Sequence, residues 1–226
     1  MIGIFDSGVG GICAFRELKK RLPLADVIYL ADRRNAPYGT KSKDEILKIT
    51  QNNIKLLKNC GAKVVLIACC TASSMYEMLE EEEREIAIPI IAPAAKAAAG
   101  LGERIAVIAT RHTATSGAFS TEIAKNSDAC VCEFAEQELV SLVEEGNRDG
   151  RVTPRCREYL LRMSEKIKEH QAEVLILGCT HFSHLEKEIK KLLPKVKIVS
   201  PARVGAEELI RKTDPSRREN GRIVYM

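Results

Sequence analysis

Two cysteines stand in matched surroundings. Cys69 follows Val64-Val65-Leu66-Ile67-Ala68, and Cys179 follows Val174-Leu175-Ile176-Leu177-Gly178, so each comes after an apolar run and one small residue. A threonine follows within two positions in each case, Thr71 and Thr180. A thiol at the carboxyl end of a strand and just ahead of a helix meets backbone N–H groups and a helix dipole that favour the thiolate. Two such thiols around one carbon atom suit the removal of a proton from one face and the delivery of a proton to the other, with the roles exchanged in reverse. Serine hydroxyls hold their protons too tightly for that work. The other cysteines (Cys13, Cys60, Cys130, Cys132 and Cys156) read as small apolar residues, and Cys70 adjoins Cys69.

Possible helpers lie close by in sequence. Asp6-Ser7 ends an apolar run and leads into Gly8-Val9-Gly10-Gly11, a turn whose backbone N–H groups could cradle a carboxylate. A dinucleotide loop of the form G-x-G-x-x-G would need glycine at position 13, which is Cys13. Asp6 either caps the next helix or keeps a nearby thiol in its working protonation state. Thr71 and Thr180 either cap helices or donate to a ligand. His181, two residues past Cys179, could support that thiolate as imidazolium. Cys179-x-His181-x-x-His184 also admits a zinc reading, completed by Cys69-Cys70. No second spaced ligand pair accompanies it, so no metal site and no cofactor are expected.

The elements that position these groups alternate. Strand patterns fall at 2–5, 26–30, 63–68, 88–91, 104–109, 129–133, 173–178, 196–199 and 222–225. Helical patterns lie between them, notably 42–59 (Ile46, Ile49, Asn53 and Leu56-Leu57 on or near one face) and 154–169. This is an α/β chain with parallel sheets. Strands apolar on both faces, such as 64–67 and 174–177, belong in sheets covered on both sides. Gly3-Ile4-Phe5-Asp6-Ser7 echoes Ala106-Val107-Ile108-Ala109-Thr110 as the two cysteine segments echo each other. The expected division is residues 1–92 with 206–226 and residues 93–205.

The 226 residues are 45% hydrophobic and 29% charged, as in ordinary globular proteins. Aromatics make up 4% and tryptophan is absent, which leaves little base-stacking surface. The net charge of +4 is scattered. The Arg217-Arg218 pair and the acidic run Glu80 to Glu83 read as solvated faces, so nucleic acid is not expected as a partner. Met1 leads straight into a strand, and no apolar stretch has the length of a membrane span. A cytoplasmic, non-membrane protein with reduced thiols is the expectation.

Six segments taken together resemble the glutamate racemases of the cofactor-independent aspartate/glutamate racemase family. They are Phe5-Asp6-Ser7-Gly8-Val9-Gly10-Gly11, Pro37-Tyr38-Gly39, Ala68-Cys69-Cys70-Thr71-Ala72-Ser73, Ala109-Thr110-Arg111-His112-Thr113, Leu142-Val143-Glu144-Glu145-Gly146 and Leu177-Gly178-Cys179-Thr180-His181-Phe182. They span the chain from its first residues to about residue 210. The resemblance implies two pseudo-symmetric flavodoxin-like domains with the active site in the cleft between them, and a homodimer. It implies Cys69 and Cys179 as catalytic acid and base, Asp6 assisting Cys69, and His181 and Glu144 assisting Cys179. Ser7, Pro37, Tyr38, Gly39, Cys70, Thr71, Thr110, Thr113 and Thr180 would bind the amino-acid substrate, glutamate, whose D-form feeds peptidoglycan.

The chain departs from the family pattern in four places. Cys70 replaces a substrate-binding Asn, Ser183-His184 replaces Pro-Leu, Ser141 replaces Pro, and the chain stops at Met226, short of a C-terminal helix that many members add. Alternative readings are a racemase of aspartate or another amino acid, a catalytically weakened binding paralogue, and a metal-dependent hydrolase using Cys179 and His184.

Overall fold

The computed structural model describes residues 1–8, 10–149, 152–213 and 220–226, without the side chains of 147–149. Val9 and the Arg217-Arg218 pair therefore lie outside the described residues.

In chain order the elements are β1 (Ile2–Asp6), α1 (Ile12–Arg21), β2 (Val27–Ala31), a 3-10 turn (Tyr38–Thr40), α2 (Lys43–Asn59), β3 (Val64–Ile67), α3 (Cys70–Ser73), a second 3-10 turn (Tyr76–Met78), α4 (Glu81–Ile86), β4 (Ala87–Pro89) and α5 (Ile91–Ala99). There follow β5 (Arg104–Ala109), α6 (Arg111–Ser116), α7 (Ala118–Ala124), β6 (Cys130–Ala135), α8 (Gln137–Asp149), α9 (Pro154–Glu169) and β7 (Val174–Gly178). A third 3-10 segment (Thr180–Leu185), α10 (Glu186–Leu192), β8 (Lys197–Val199), α11 (Pro201–Lys212) and β9 (Ile223–Tyr225) complete the chain.

The strands form two sheets, ordered β4-β3-β1-β2-β9 and β6-β5-β7-β8, with every pairing parallel. Parallel neighbours need a crossover, and here helices supply it. Every residue of β1 and β7 is buried, as sheets covered on both faces require. Val65, Leu66 and Ile67 of β3 are fully buried too, each contributing roughly 1.5–3 kcal/mol through loss of water contact.

Local signals set the helix ends. At α2 the Ser42 hydroxyl accepts from the Glu45 N–H, and the Glu45 carboxylate accepts from the Ser42 N–H. At α9, Thr153 caps the Cys156 N–H and Pro154 opens the helix. The inner face of α2 is Ile46, Thr50, Asn53, Ile54 and Leu57. The sequence reading erred here, because Ile49 is only half-buried and Leu56 is 39% exposed. Leu56 lies about 100° around the helix from Leu57, enough to turn it to solvent.

One apolar cluster joins the two sheets. It contains Ile4 and Leu66 from the first, Ile105 and Val107 from the second, and Ala94, Ala98, Ala202 and Leu209 from α5 and α11. Breaks after residues 92 and 205 fall within those two helices.

Each sheet reverses its winding once, between β1 and β3 in the first and between β5 and β7 in the second. Crevices open at such reversals, beyond the carboxyl ends of the strands. Asp6 and Cys69 follow from the first reversal, Thr110 and Cys179 from the second. The sequence echoes between 3–7 and 106–110, and between 64–69 and 174–179, thus occupy equivalent topological places.

Candidate active site

The two reversals border one enclosed cavity of about 30 Å³, space for one or two water-sized groups. Both Cys69 and Cys179 line it, as do Cys70, Ser7, Thr71 and Thr110. Pro37, Tyr38, Gly39, Thr180, His181 and Glu144 also reach it. Of the residues the sequence analysis proposed, only Asp6 and Thr113 stand behind this wall.

Cys69 is the residue before the four-residue helix α3, and its thiol lies 3.6 Å from the Ser7 hydroxyl. Burial first, and the Asp6 carboxylate second, push this thiol up to about 12. Hydrogen bonding to Ser7 and to the Ala72 backbone opposes them without prevailing. The expectation of a thiolate-favouring helix end therefore fails at Cys69, where desolvation and a buried anion outweigh a single helical turn. Cys70 is also pushed well above its ordinary value, chiefly by burial and then by the neighbouring Cys179 and Cys69.

The second thiol has a different neighbour. Cys179 Sγ lies 3.7 Å from His181 Nδ1 within the buried 3-10 segment. His181 Nε2 lies 3.3 Å from Glu144 Oε1, close enough for charge pairing but not aligned as a hydrogen bond. Burial alone would lower the His181 value. The hydrogen bond to Cys179 and the contact with Glu144, with the charges of Cys179 and Asp6, outweigh it and hold the imidazole well above 6.5. Glu144 is 58% exposed, so solvent screens its share, and Cys179 and Asp6 carry more of the effect.

Asp6, fully buried, uses both carboxylate oxygens within the protein. Oδ2 accepts from the Gly8 N–H at 3.0 Å, and Oδ1 accepts from the Thr180 hydroxyl at 3.0 Å. The glycine turn's Gly8 N–H therefore serves Asp6 and is not free to cradle a ligand carboxylate. Gly10 and Gly11 are packing glycines: a Cβ at Gly10 would stand 2.4 Å from Thr180 Oγ1, and one at Gly11 would stand 2.6 Å from Asp6 Cβ.

Thr113 and Tyr38 have hydroxyls committed to other side chains. Thr113 is fully buried, and its hydroxyl joins those of Thr71 (3.1 Å) and Thr110 (2.9 Å), which are themselves 3.0 Å apart. It orients two cavity-lining hydroxyls and does not itself reach the cavity. Tyr38 lines the cavity, but its hydroxyl donates to Asp32 Oδ2 at 2.5 Å and accepts from Asn53 Nδ2 at 2.9 Å. Burial opposes the Asp32 charge, yet the hydrogen bonds from Tyr38, Asn35 and Asn53 prevail and hold its carboxyl below the ordinary value.

The sequence reading missed Asp32 and Asn53, which position the Tyr38 turn. It also missed Gln137 and Val140, which line the cavity from α8. Position 137 follows a strand pattern without any motif, which left it no sequence signal. The metal reading gains no support: His184 Nε2 lies 4.0 Å from Cys13 Sγ, and among the described residues no three His, Cys, Asp or Glu side chains are placed to share a metal ion. No helix among these residues is long and apolar enough to cross a membrane.

Residues 14–209 match the family described as Asp/Glu/Hydantoin racemase. The glutamate racemase of Persephonella marina is 39% identical over 215 residues, covering 93% of this chain and 82% of that protein. That of Gloeobacter violaceus is 39% identical over 222 residues, covering 96% and 82%. The crystal structure of a Bacillus anthracis glutamate racemase isoform superposes with a TM-score of 0.89 at 28% identity, covering all of this chain and 86% of that one. The Francisella tularensis glutamate racemase, crystallised with D-glutamate, superposes with a TM-score of 0.87 at 29% identity over 99% and 86%.

Proposed function

Because the chain belongs to the Asp/Glu/Hydantoin racemase family, we propose that it interconverts L- and D-glutamate without a cofactor, with Cys69 and Cys179 as the acid and base. One observation carries the reading of mechanism: the two thiols come from equivalent reversals of two sheets and line a single cavity. The names of the relatives, and the D-glutamate held by the Francisella structure, support the substrate.

The surroundings of the thiols give them unlike resting roles. Cys69, pushed up to about 12, keeps its proton at neutral pH. Cys179 faces the His181 imidazolium and is the base. It takes the α-proton, and the C–H electron pair moves into the α-carboxylate as an enediolate. Cys69 then delivers its proton to the opposite face, which leaves Cys69 as thiolate and Cys179 as thiol. Asp6 raises the proton affinity of Cys69 and so favours its reprotonation. In the reverse direction the two thiols exchange roles. Positioned acid–base catalysis of this kind supplies roughly 10²–10⁴-fold.

No Lys or Arg lines the cavity among the described residues, so substrate carboxylates meet neutral donors such as the Ser7 hydroxyl. A cavity this small does not admit glutamate, so the two halves part for entry and close over the substrate. We read these halves as residues 1–92 with 206–226 and residues 93–205. A cytoplasmic homodimer supplying D-glutamate to peptidoglycan is part of the same proposal.

The test is incubation of each enantiomer of glutamate and of aspartate in D2O, following α-deuterium uptake and optical rotation, for the wild type, Cys69→Ser and Cys179→Ser. Glutamate should racemise in the wild type and not in either variant. Near wild-type racemisation in either variant overturns the two-thiol mechanism, and a clear preference for aspartate overturns the substrate.

A further inference from the structure

We infer that Gln137 is the receptor for the side-chain carboxylate of the substrate and sets the preference for the longer acid; this deepens, and rests on, the reading of the cavity as a glutamate site. Gln137 opens α8, and Val140 and Glu144 follow on the same helix face at i+3 and i+7. All three line the cavity, so this face of α8 forms one wall of the site. Seven residues of helix rise about 10 Å. Glu144 marks the end where His181 and Cys179 lie, and Gln137 marks the far end, beside Gly39 and Thr110.

The amide has a fixed orientation. Its Oε1 accepts the Arg111 backbone N–H at 3.2 Å, so a flipped amide would set donor against donor. The two N–H bonds of Nε2 are then left over, and among the described residues no protein group accepts from them. A pair of uncommitted amide donors suits a carboxylate.

Charge places the substrate the same way round. The α-carbon must lie between the thiols, at the end that holds His181 and Glu144. A second carboxylate is repelled by Glu144 and finds no Lys or Arg along the cavity wall among the described residues. Of the neutral groups there, Ser7 stands beside Cys69 at the thiol end, Thr180 already donates its proton to Asp6, and the Thr71 and Thr110 hydroxyls share protons with Thr113. Gln137 is the remaining side chain with two free donors. Aspartate, one methylene shorter, places its second carboxylate nearer the thiols and farther from this amide.

The test compares the wild type, Gln137→Met (similar shape, no donor) and Gln137→Glu (Oε1 kept, the amide replaced by a charge). KM and kcat are measured for D-glutamate and L-aspartate alongside thermal melting. In Gln137→Met the glutamate KM should rise about tenfold or more, the loss of a hydrogen bond to a charged group, while kcat falls by less. In Gln137→Glu it should rise further, with aspartate affected little by either change. A glutamate KM within twofold of wild type in Gln137→Met overturns the inference. So does an equal loss for both acids with a lowered melting temperature, which would mark Gln137 as structural. A wild type that turns over aspartate and not glutamate overturns the substrate assignment and this inference with it.

Discussion

The hydroxyl of Thr180 donates to the Asp6 carboxylate across the boundary between the two sheets, at 3.0 Å. This one contact links the segment carrying Cys179 to the carboxylate that, after burial, does most to raise the Cys69 thiol. In Asp6→Asn the charge goes while the shape stays. The Cys69 value, about 12 in the wild type, should then fall toward that of an ordinary thiol, because the second cause of its elevation has been removed. Peptide mapping of Cys69 alkylation against pH reads this directly. A midpoint that stays put or rises would show that burial alone sets the Cys69 proton.

His181 makes stability depend on pH. Its value is raised in the folded protein, so the protonated imidazole contributes fully below its ordinary 6.5 and is lost as pH rises through the higher folded value. The difference in melting temperature between wild type and His181→Asn should be largest below pH 6.5 and shrink as pH rises above it. Racemisation should decline over the same upper range as Cys179 loses its cationic neighbour. A difference that widens with rising pH is the result that contradicts the imidazolium.

Tyr38 reaches the cavity without its hydroxyl. Its hydroxyl is committed to Asp32 and Asn53, and only the rest of the residue meets the cavity. Tyr38→Phe should cost about 1–3 kcal/mol in urea unfolding, since Asp32 is left a donor short in a buried place. Racemisation should persist within about threefold if the ring keeps its position. A loss of kcat beyond a hundredfold with unchanged stability would return the hydroxyl to the chemistry.

These cases show what the residue pattern could reveal. Runs such as Val64–Ile67 and Val174–Gly178 announced buried parallel strands, because full burial on both faces leaves no polar alternation. The thiols were legible because the runs before them match. Asp32, Asn53 and Gln137 were not, for their roles arise only when distant segments meet. Asp32 binds Asn53, 21 positions on, and Gln137 binds Arg111, 26 positions back. The spacing of Thr113 from Thr110 fixes their contact, but not which hydroxyl faces the cavity. The raised Cys69 value was also hidden, since a helix of four residues and a fully buried carboxylate are both tertiary facts.

Two glycines on the side of the first sheet, Gly10 and Gly39, stand against residues that follow strands of the second. A methyl group at Gly10 would lie 2.4 Å from Thr180 Oγ1 and 2.9 Å from the His181 backbone nitrogen. The first contact could be relieved by a rotamer, but the second involves backbone, so the segment carrying Cys179 must retreat. A methyl at Gly39 would meet Gln137 Oε1 at 2.6 Å and Thr110 Cβ at 2.8 Å, near the other end of the cavity. In Gly10→Ala the thiols are forced apart while the core of each sheet is untouched. Displacement by about 1 Å costs on the order of 100-fold in a positioned reaction. Gly10→Ala should therefore lose roughly that much kcat/KM with a melting temperature close to wild type. Gly39→Ala should act mainly through KM, because its clash lies at Gln137 and away from the thiols. If Gly10→Ala keeps kcat/KM within about threefold, close approach at this glycine does not set the spacing of the two cysteines.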